Sequence, residues 1–445
     1  MMQQYQDSMA IVARHGRPDL FITMTCNPNW KEIQENLFLH QTAADRPDII
    51  PSENLVLNRT SLQQLRETNR HYQYGEAKSE FIDNLSNNNR LVVHWDGKIL
   101  ADLVGRFSVD RIAVTVSYNG TSKFLGAPKI ESGTGENIAQ AVYNTLVEWE
   151  ISGNVVAASF DTTSSNTGLE RGACIILDDF LDRKPLRFAC RHHICEILLK
   201  DVFEKKYGKS NAPETLIFNR FADMWHNIEQ GQFNYGIDDQ IVTSKISDDE
   251  CAEIKQFCRN QLQKSQIRGD YKELLELTIT FLGENVGPFR TCGATSHARF
   301  MSKAIYCLKI FLFRDQFDLT ARELNCIRDI SIFVVKLYIK AWYGCTNPIE
   351  CPNQDLNFLH EAFDFSKIDK VESQSVIEKF KNHLWYLTPE TVGLAFFDPN
   401  VSFDIKRKMV NRRKAKNPTV VLIKHRTFPN VQHLLTCDLS DFVSH

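Results

Sequence analysis

The stretch NVVAASFDTTSSNTG, residues 154–168, leaves an apolar β-branched run on a single carboxylate, Asp161, and then holds seven small or polar residues in a row. A strand that ends this way admits two readings. Asp161 is an Asx-turn or helix cap, or a ligand must approach the carboxylate and the backbone beside it. The flanks place the stretch in a repeating pattern. Upstream, ENIAQAVYNTLVEWE (136–150) sets Ile138, Val142, Leu146 and Trp149 on one helical face, with Thr134 as N-cap. Downstream, a helix is expected around 169–182, then a strand at PLRFAC (185–190) and the helix HICEILLKDVFEKK.

Further upstream, NRLVVHWDG (89–97) and RIAVTVSYNG (111–120) are β-branched strands. SKFLGAPKI (122–130) makes a third, joined to the second by Asn119-Gly120, a strong hairpin signal. The resulting order β-β-β-α-β-α-β-α starts as an antiparallel meander and continues as parallel crossovers. It is the arrangement of an RNase H-like core, an α/β fold with a mixed five-stranded sheet. Right-handed crossovers would put the fourth strand beside the first. Asp96 is read as ending the first strand and Asp161 the fourth, so the two acids are expected to meet in space. Locally, Asp96-Gly97 also reads as a hairpin dipeptide.

From 205 to 375 the pattern is helical only, with candidates at 213–230, 247–264, 270–282, 296–314 and 320–343. We read an all-α insertion, because another acidic position follows it. In KNHLWYLTPETVGLAFFDPN (381–400), Thr388 is an expected N-cap, Pro389 the first helical position and Glu390 a first-turn acid. Asp398 and Glu378 are alternatives for the third acid. The expected organisation is an N-terminal appendage (1–50), a first core part (53–204), the insertion (205–375), a return to the core (376–417) and a tail (418–445). Asp96, Asp161 and Glu390 would suit phosphoryl transfer on DNA, which uses two divalent cations about 4 Å apart. Hard Mg²⁺, or Mn²⁺ in its place, takes such oxygen ligands.

Composition bounds the rest. The 445 residues are 43% hydrophobic and 24% charged, with a net charge of -3, which excludes a uniformly basic nucleic-acid coat but leaves room for a local patch. KRKMVNRRKAK (406–416) is such a patch. Its Lys406, Arg407, Lys408, Arg412, Arg413 and Lys414 read either as a solvated helix face or as a phosphate contact and nuclear import signal. No apolar N-terminal stretch reads as a secretion signal. ISIFVVKLYIKAWY (330–343) carries Lys336 and Lys340, and reads as a buried amphipathic helix rather than a membrane span. Twelve cysteines without a CxxC pair suggest reduced thiols in a nuclear or cytosolic setting and argue against a zinc finger of ordinary spacing.

Two resemblances sharpen these expectations. HWDGK (94–98), FLGAPKIESGTG (124–135), FDTTSSNTG (160–168), FACRHHICEILLKDVF (188–203) and SHARFMSKAIYCLKIF (296–311) resemble hAT-like DDE transposases over about 53–430. The resemblance implies that Asp96 and Asp161 are the first two metal-binding acids and that Cys190 and His193 form the family's CxxH motif. It puts Arg299-Phe300 at an Arg-Trp position that handles flanking DNA, with Phe where the family has Trp. From the residues themselves, Cys190 and His193 read as a structural pair, His192 and Cys195 being the neighbours that could add metal ligands. Residues 1–50, with Tyr5, Gln6, Asp7, Gly16, Pro18, Asp19, Leu20, Phe21, Thr25, Cys26, Asn27, Pro28 and Trp30, resemble the helicase-like domain of Helitron transposons. The His-hydrophobic-His metal motif and catalytic tyrosines of that family do not follow, so the segment reads as a non-catalytic fragment. The expected partner is DNA, with self-association left open and no membrane. The competing reading is a catalytically silent relic that binds DNA or protein.

Overall fold

The computed structural model describes residues 59–85, 89–101, 108–208, 215–264, 268–293, 301–344, 347–414 and 436–443. The chain divides into two units, residues 1–84 and 85–445. Within the first, the described part is one helix, α1 (Arg59–Asn84), which sequence reading did not anticipate. The resembling segment 1–50 lies outside the described residues.

The second unit is built on a five-stranded mixed sheet. Its strands are β1 (Leu91–Ala101), β2 (Ser108–Tyr118), β3 (Thr121–Gly126), β4 (Val155–Phe160) and β5 (Leu186–Ala189), in the spatial order β3-β2-β1-β4-β5. β1 runs antiparallel to β2 and parallel to β4, so the first and fourth strands are neighbours. Asn119 and Gly120 turn β2 into β3 with φ of 45° and 75°. Positive φ at both central residues is what a type I′ hairpin needs, and Asn-Gly is the pair that tolerates it.

One face of the sheet is the core. Val93, Trp95, Val114, Val116 and Phe160 are buried there, and α2 (Gly135–Glu148) packs across it. Thr134 caps α2 by accepting from Asn137 N, and Ile138, Val142, Leu146 and Trp149 are all buried, as their helical spacing requires. After β4 the chain makes a single helical turn (Ser164–Thr167), then α3 (Ala173–Leu181), β5 and α4 (Arg191–Lys206). The helix expected over 169–182 is thus shorter and starts later.

The helical part follows as α5 (Leu216–Met224), α6 (Gln240–Lys245), α7 (Asp248–Leu262), α8 (Gly269–Phe281), α9 (Ser302–Leu312) and α10 (Ala321–Phe333). α10 continues through a π turn, Val334–Tyr338, into α11 (Ile339–Tyr343). Then come α12 (Cys351–Asp364), α13 (Lys370–Phe380) and α14 (Phe403–Lys414). The two lysines in the apolar 330–343 run reach α7, where Lys336 Nζ bonds Glu250 and Lys340 Nζ bonds Glu253, each at 2.7 Å. Long stems let these charges leave the core at its edge. No helix among the described residues is long and apolar enough to cross a membrane.

Two local expectations are corrected. β1 does not end at Asp96: Asp96 pairs with Ala113 and Gly97 with Ile112, inside a strand that runs to Ala101. The hairpin reading of Asp96-Gly97 therefore fails, since turn chemistry cannot operate within a paired strand. Nor does an α-helix open at Thr388. Trp385–Leu387 and Val392–Phe396 are 3₁₀ turns, and Glu390 lies exposed in the turn between them.

Candidate functional site

The β1–β4 pairing is registered by His94 opposite Ser159. One residue further on, Trp95 and Phe160 stack with ring centroids 5.3 Å apart. Asp161 follows the last residue of β4, and because side chains alternate along a strand, Asp96 leaves β1 on the face opposite the two rings. That face also carries His94, whose Nε2 lies 2.7 Å from Ser117 Oγ. Burial holds the imidazole of His94 below its ordinary pKa.

Asp161 is held by its own loop. Its Oδ1 accepts from Thr163 N (3.0 Å), Thr163 Oγ1 (2.6 Å) and Asn166 Nδ2 (2.7 Å). None of the hydrogen bonds from described residues goes to Oδ2. Asn166 is buried and takes a second bond, from Trp95 Nε1 to its Oδ1 at 2.9 Å. An indole nitrogen can only donate, so this bond fixes which end of the amide faces Trp95 and turns Nδ2 toward Asp161. A residue of β1 thereby sets the orientation of the carboxylate after β4. The signal for Asn166 was present in the sequence only as one polar residue among several.

The small residues of this loop have a packing reason too. A Cβ on Gly135, the first residue of α2, would meet Ser165 O at 2.7 Å and Ala173 N at 2.8 Å, and would overlap Arg171 O. A Cβ on Gly172 would meet Asn166 O at 2.8 Å. The close approach is therefore, in part, between the loop and α2. Trp95→Phe tests the relay: it keeps a ring in the core but removes the donor. We expect a loss of about 1–3 kcal/mol in urea unfolding, the size of an unmet buried polar group.

Glu390 lines a cleft of about 290 Å³ with Asp178, Lys184, Arg187, Leu186 and Trp385, along the outer edge of β5. Arg187 and Asp178 pair across it at 2.7 Å. Burial raises the Asp178 carboxyl, and the Arg187 charge opposes that shift. Asp398 is fully buried, with Oδ1 accepting from Asn400 N at 2.8 Å. Glu378 sits on α13 and accepts from Gln374 at 2.9 Å. Among the described residues, no three His, Cys, Asp or Glu side chains gather as a cation site.

Cys190 caps the start of α4, its N–H bonded to Phe160 O at 2.8 Å, and His193 follows within the first turn. Its neighbour His192 is packed into the helical part. The ring stacks on Trp342 at 4.1 Å, Nε2 donates to Trp342 O at 3.1 Å, and burial depresses its pKa to about 4. Arg299 and Phe300 lie outside the described residues. On α14, Lys406 donates to Asp398 O, Arg407 pairs with Asp404, Lys408 with Asp438 and Arg412 with Asp441. Arg413 and Lys414 are exposed and make no ion pair with a described residue.

With this geometry in view, the comparisons bear on the first unit. No curated protein matches the chain. Residues 1–73 match the family described as the Helitron helicase-like domain at N-terminus, a match that runs past the resembling segment 1–50 into α1 and relates the chain to transposable elements.

Proposed function

We propose that the second unit is an RNase H-like core of the DDE transposase type, cutting and rejoining DNA strands within a protein of transposable-element origin. What supports this reading is the parallel β1–β4 pair, on which Asp96 and Asp161 each come one residue after a ring of the Trp95–Phe160 stack. The donor set suits a hard divalent cation: carboxylate oxygens, with Oδ2 of Asp161 left outside the loop's own hydrogen bonds. Asp96 and Asp161 would hold Mg²⁺ or Mn²⁺, with Glu390 the candidate third acid. A cation held there supplies charge that polarises a phosphoryl oxygen and favours water, or a DNA 3′-hydroxyl, as nucleophile. The chain's own part is to keep the Asp161 carboxylate in one orientation through Thr163 and Asn166, and to exclude water from the sheet behind it with Trp95 and Phe160. Work on chromosomal DNA would place the protein in the nucleus.

Nicking of supercoiled DNA with Mg²⁺ or Mn²⁺ tests the reading. Asp161→Asn and Asp96→Asn should each lower it by more than about 100-fold, more than the loss of an outer-shell partner. A wild-type chain that never nicks, or an Asp161→Asn variant that nicks at the wild-type rate, sinks it. One observation favours a second reading, a silent DNA- or protein-binding relic: the third carboxylate is not gathered to the pair among the described residues.

A further inference from the structure

Two phenylalanines close together in the chain are largely exposed. Phe397 is 74% exposed and Phe403 76%, whereas most large aromatic side chains of this unit are buried. They are not on a loose tail. Phe397 ends the 3₁₀ turn Val392–Phe396, and Phe403 opens α14. The turn between them is tied down by buried Asp398, whose Oδ1 accepts from Asn400 N and whose carbonyl accepts from Lys406 Nζ at 2.7 Å. On α14, Phe403, Arg407, Val410 and Lys414 follow at helical spacing and share one stripe. The Arg407 guanidinium lies 5.9 Å from the Phe403 ring centroid while pairing with Asp404. The opposite flank is spent on structure: Met409 is buried, and Lys408 and Arg412 pair with Asp438 and Asp441 beside the C-terminal 3₁₀ turn Leu439–Phe442.

We infer that Phe397 and the Phe403–Arg407–Lys414 stripe of α14 form a stacking platform for single-stranded nucleic acid. Exposed rings offer π-faces to bases, and flanking cations follow the phosphates. A duplex hides its base faces, so it could use only the cations. A protein partner would have to desolvate Arg407 and Lys414 to cover the rings, which charge complementarity with a polyanion avoids. The platform shares no residue with the acidic pair and needs no metal, so its fate is separable from that of the proposed reaction.

Fluorescence anisotropy on the full chain, in EDTA, decides it. The probes are a short labelled DNA strand, the RNA of the same sequence, the DNA duplex, and an abasic strand of equal length. Either base-bearing single strand should bind more tightly than duplex and abasic strand, and the tighter of the two names the polymer. Phe397→Ala/Phe403→Ala should weaken that binding about 10-fold or more and leave its salt dependence unchanged. Arg407→Ala/Lys414→Ala should instead flatten the slope of log K against log[salt] by about 1–1.5. Both rings are exposed, so a thermal melt should show the Phe variants folded. Equal binding of duplex and single strand, an unaffected double Phe variant, or no binding of any probe overturns the inference.

Discussion

Gly135→Ala should destabilise the second unit at the upper end of the about 1–3 kcal/mol typical of overpacking, or beyond it. An added methyl is usually absorbed by a neighbouring rotamer. Here the neighbours are backbone atoms: Arg171 O, Ser165 O and Ala173 N, the last two at 2.7 and 2.8 Å from the new Cβ. They belong to the loop and helix start that follow Asp161, so relief requires moving that segment away from α2. The carboxylate would move with it, because Thr163 and Asn166 hold Oδ1 from within the same loop. Urea unfolding of the variant should show a lowered midpoint, and any cation-dependent nicking should fall further than the lost stability explains. A variant with the wild-type midpoint would show that α2 and the loop are not in contact as described. Gly172→Ala should act in the same direction, since its Cβ would meet Asn166 O at 2.8 Å and overlap Gly168.

What could be read in advance was what depends on near neighbours in the chain. The β-branched runs, the Asn119-Gly120 turn, the Thr134 cap and the Ile138–Val142–Leu146 face all rest on local chemistry. The neighbourhood of β1 and β4 followed because crossover handedness leaves one arrangement. Asp96 was misplaced by the same local reasoning. Asp-Gly signals a turn wherever it stands, but Gly97 sits inside a strand, with Ile112 Cδ1 3.4 Å from where its Cβ would be. Thr388-Pro389-Glu390 likewise carries helix-start chemistry, yet tertiary contacts hold the segment in 3₁₀ turns. Trp385 sets its edge against Phe160 at 6.2 Å, and Tyr386 OH bonds Ala189 O at 2.9 Å. The Trp95–Asn166–Asp161 relay could not be read at all, since the indole and the amide are 71 residues apart. Sequence pattern ranks an asparagine in a polar loop as a turn residue, and only the fold shows what it touches.

Glu372→Gln should stabilise the protein at high pH and lose that advantage as the solution is made acidic. Glu372, on α13, is 1% exposed in its side chain, and neither carboxyl oxygen receives a hydrogen bond. Four charged groups face it. Lys206, at the end of α4, lies 3.8 Å away and itself pairs with Asp369 and with Asp329 (2.9 Å), while Lys245 of α6 pairs with Asp329 at 3.0 Å. Two lysines thus already balance two aspartates, and a charged Glu372 would be in excess. Burial accordingly pushes its carboxyl up to about 8; Lys206 and Lys245 oppose that, and the two aspartates add to it. Lys206 is held above its ordinary range despite burial by its bonds to Asp369 and Asp329, so it stays the cation of the cluster. The folded chain then keeps a proton on Glu372 that the unfolded chain releases near its ordinary value of 4.5. Stability from this group is complete below about pH 4.5 and falls as pH rises to about 8, where it levels off. Each pH unit in that window is worth about 1.4 kcal/mol, so the total reaches several kcal/mol. Gln keeps the shape without the charge and removes the slope. Glu196, buried against Tyr338 and raised to about 7, titrates in the same direction in both proteins and cancels in the difference. The measurement is urea unfolding of wild type and variant across this range. A difference that does not widen from acid to alkaline pH would mean that Glu372 is not the buried, proton-holding member of the cluster.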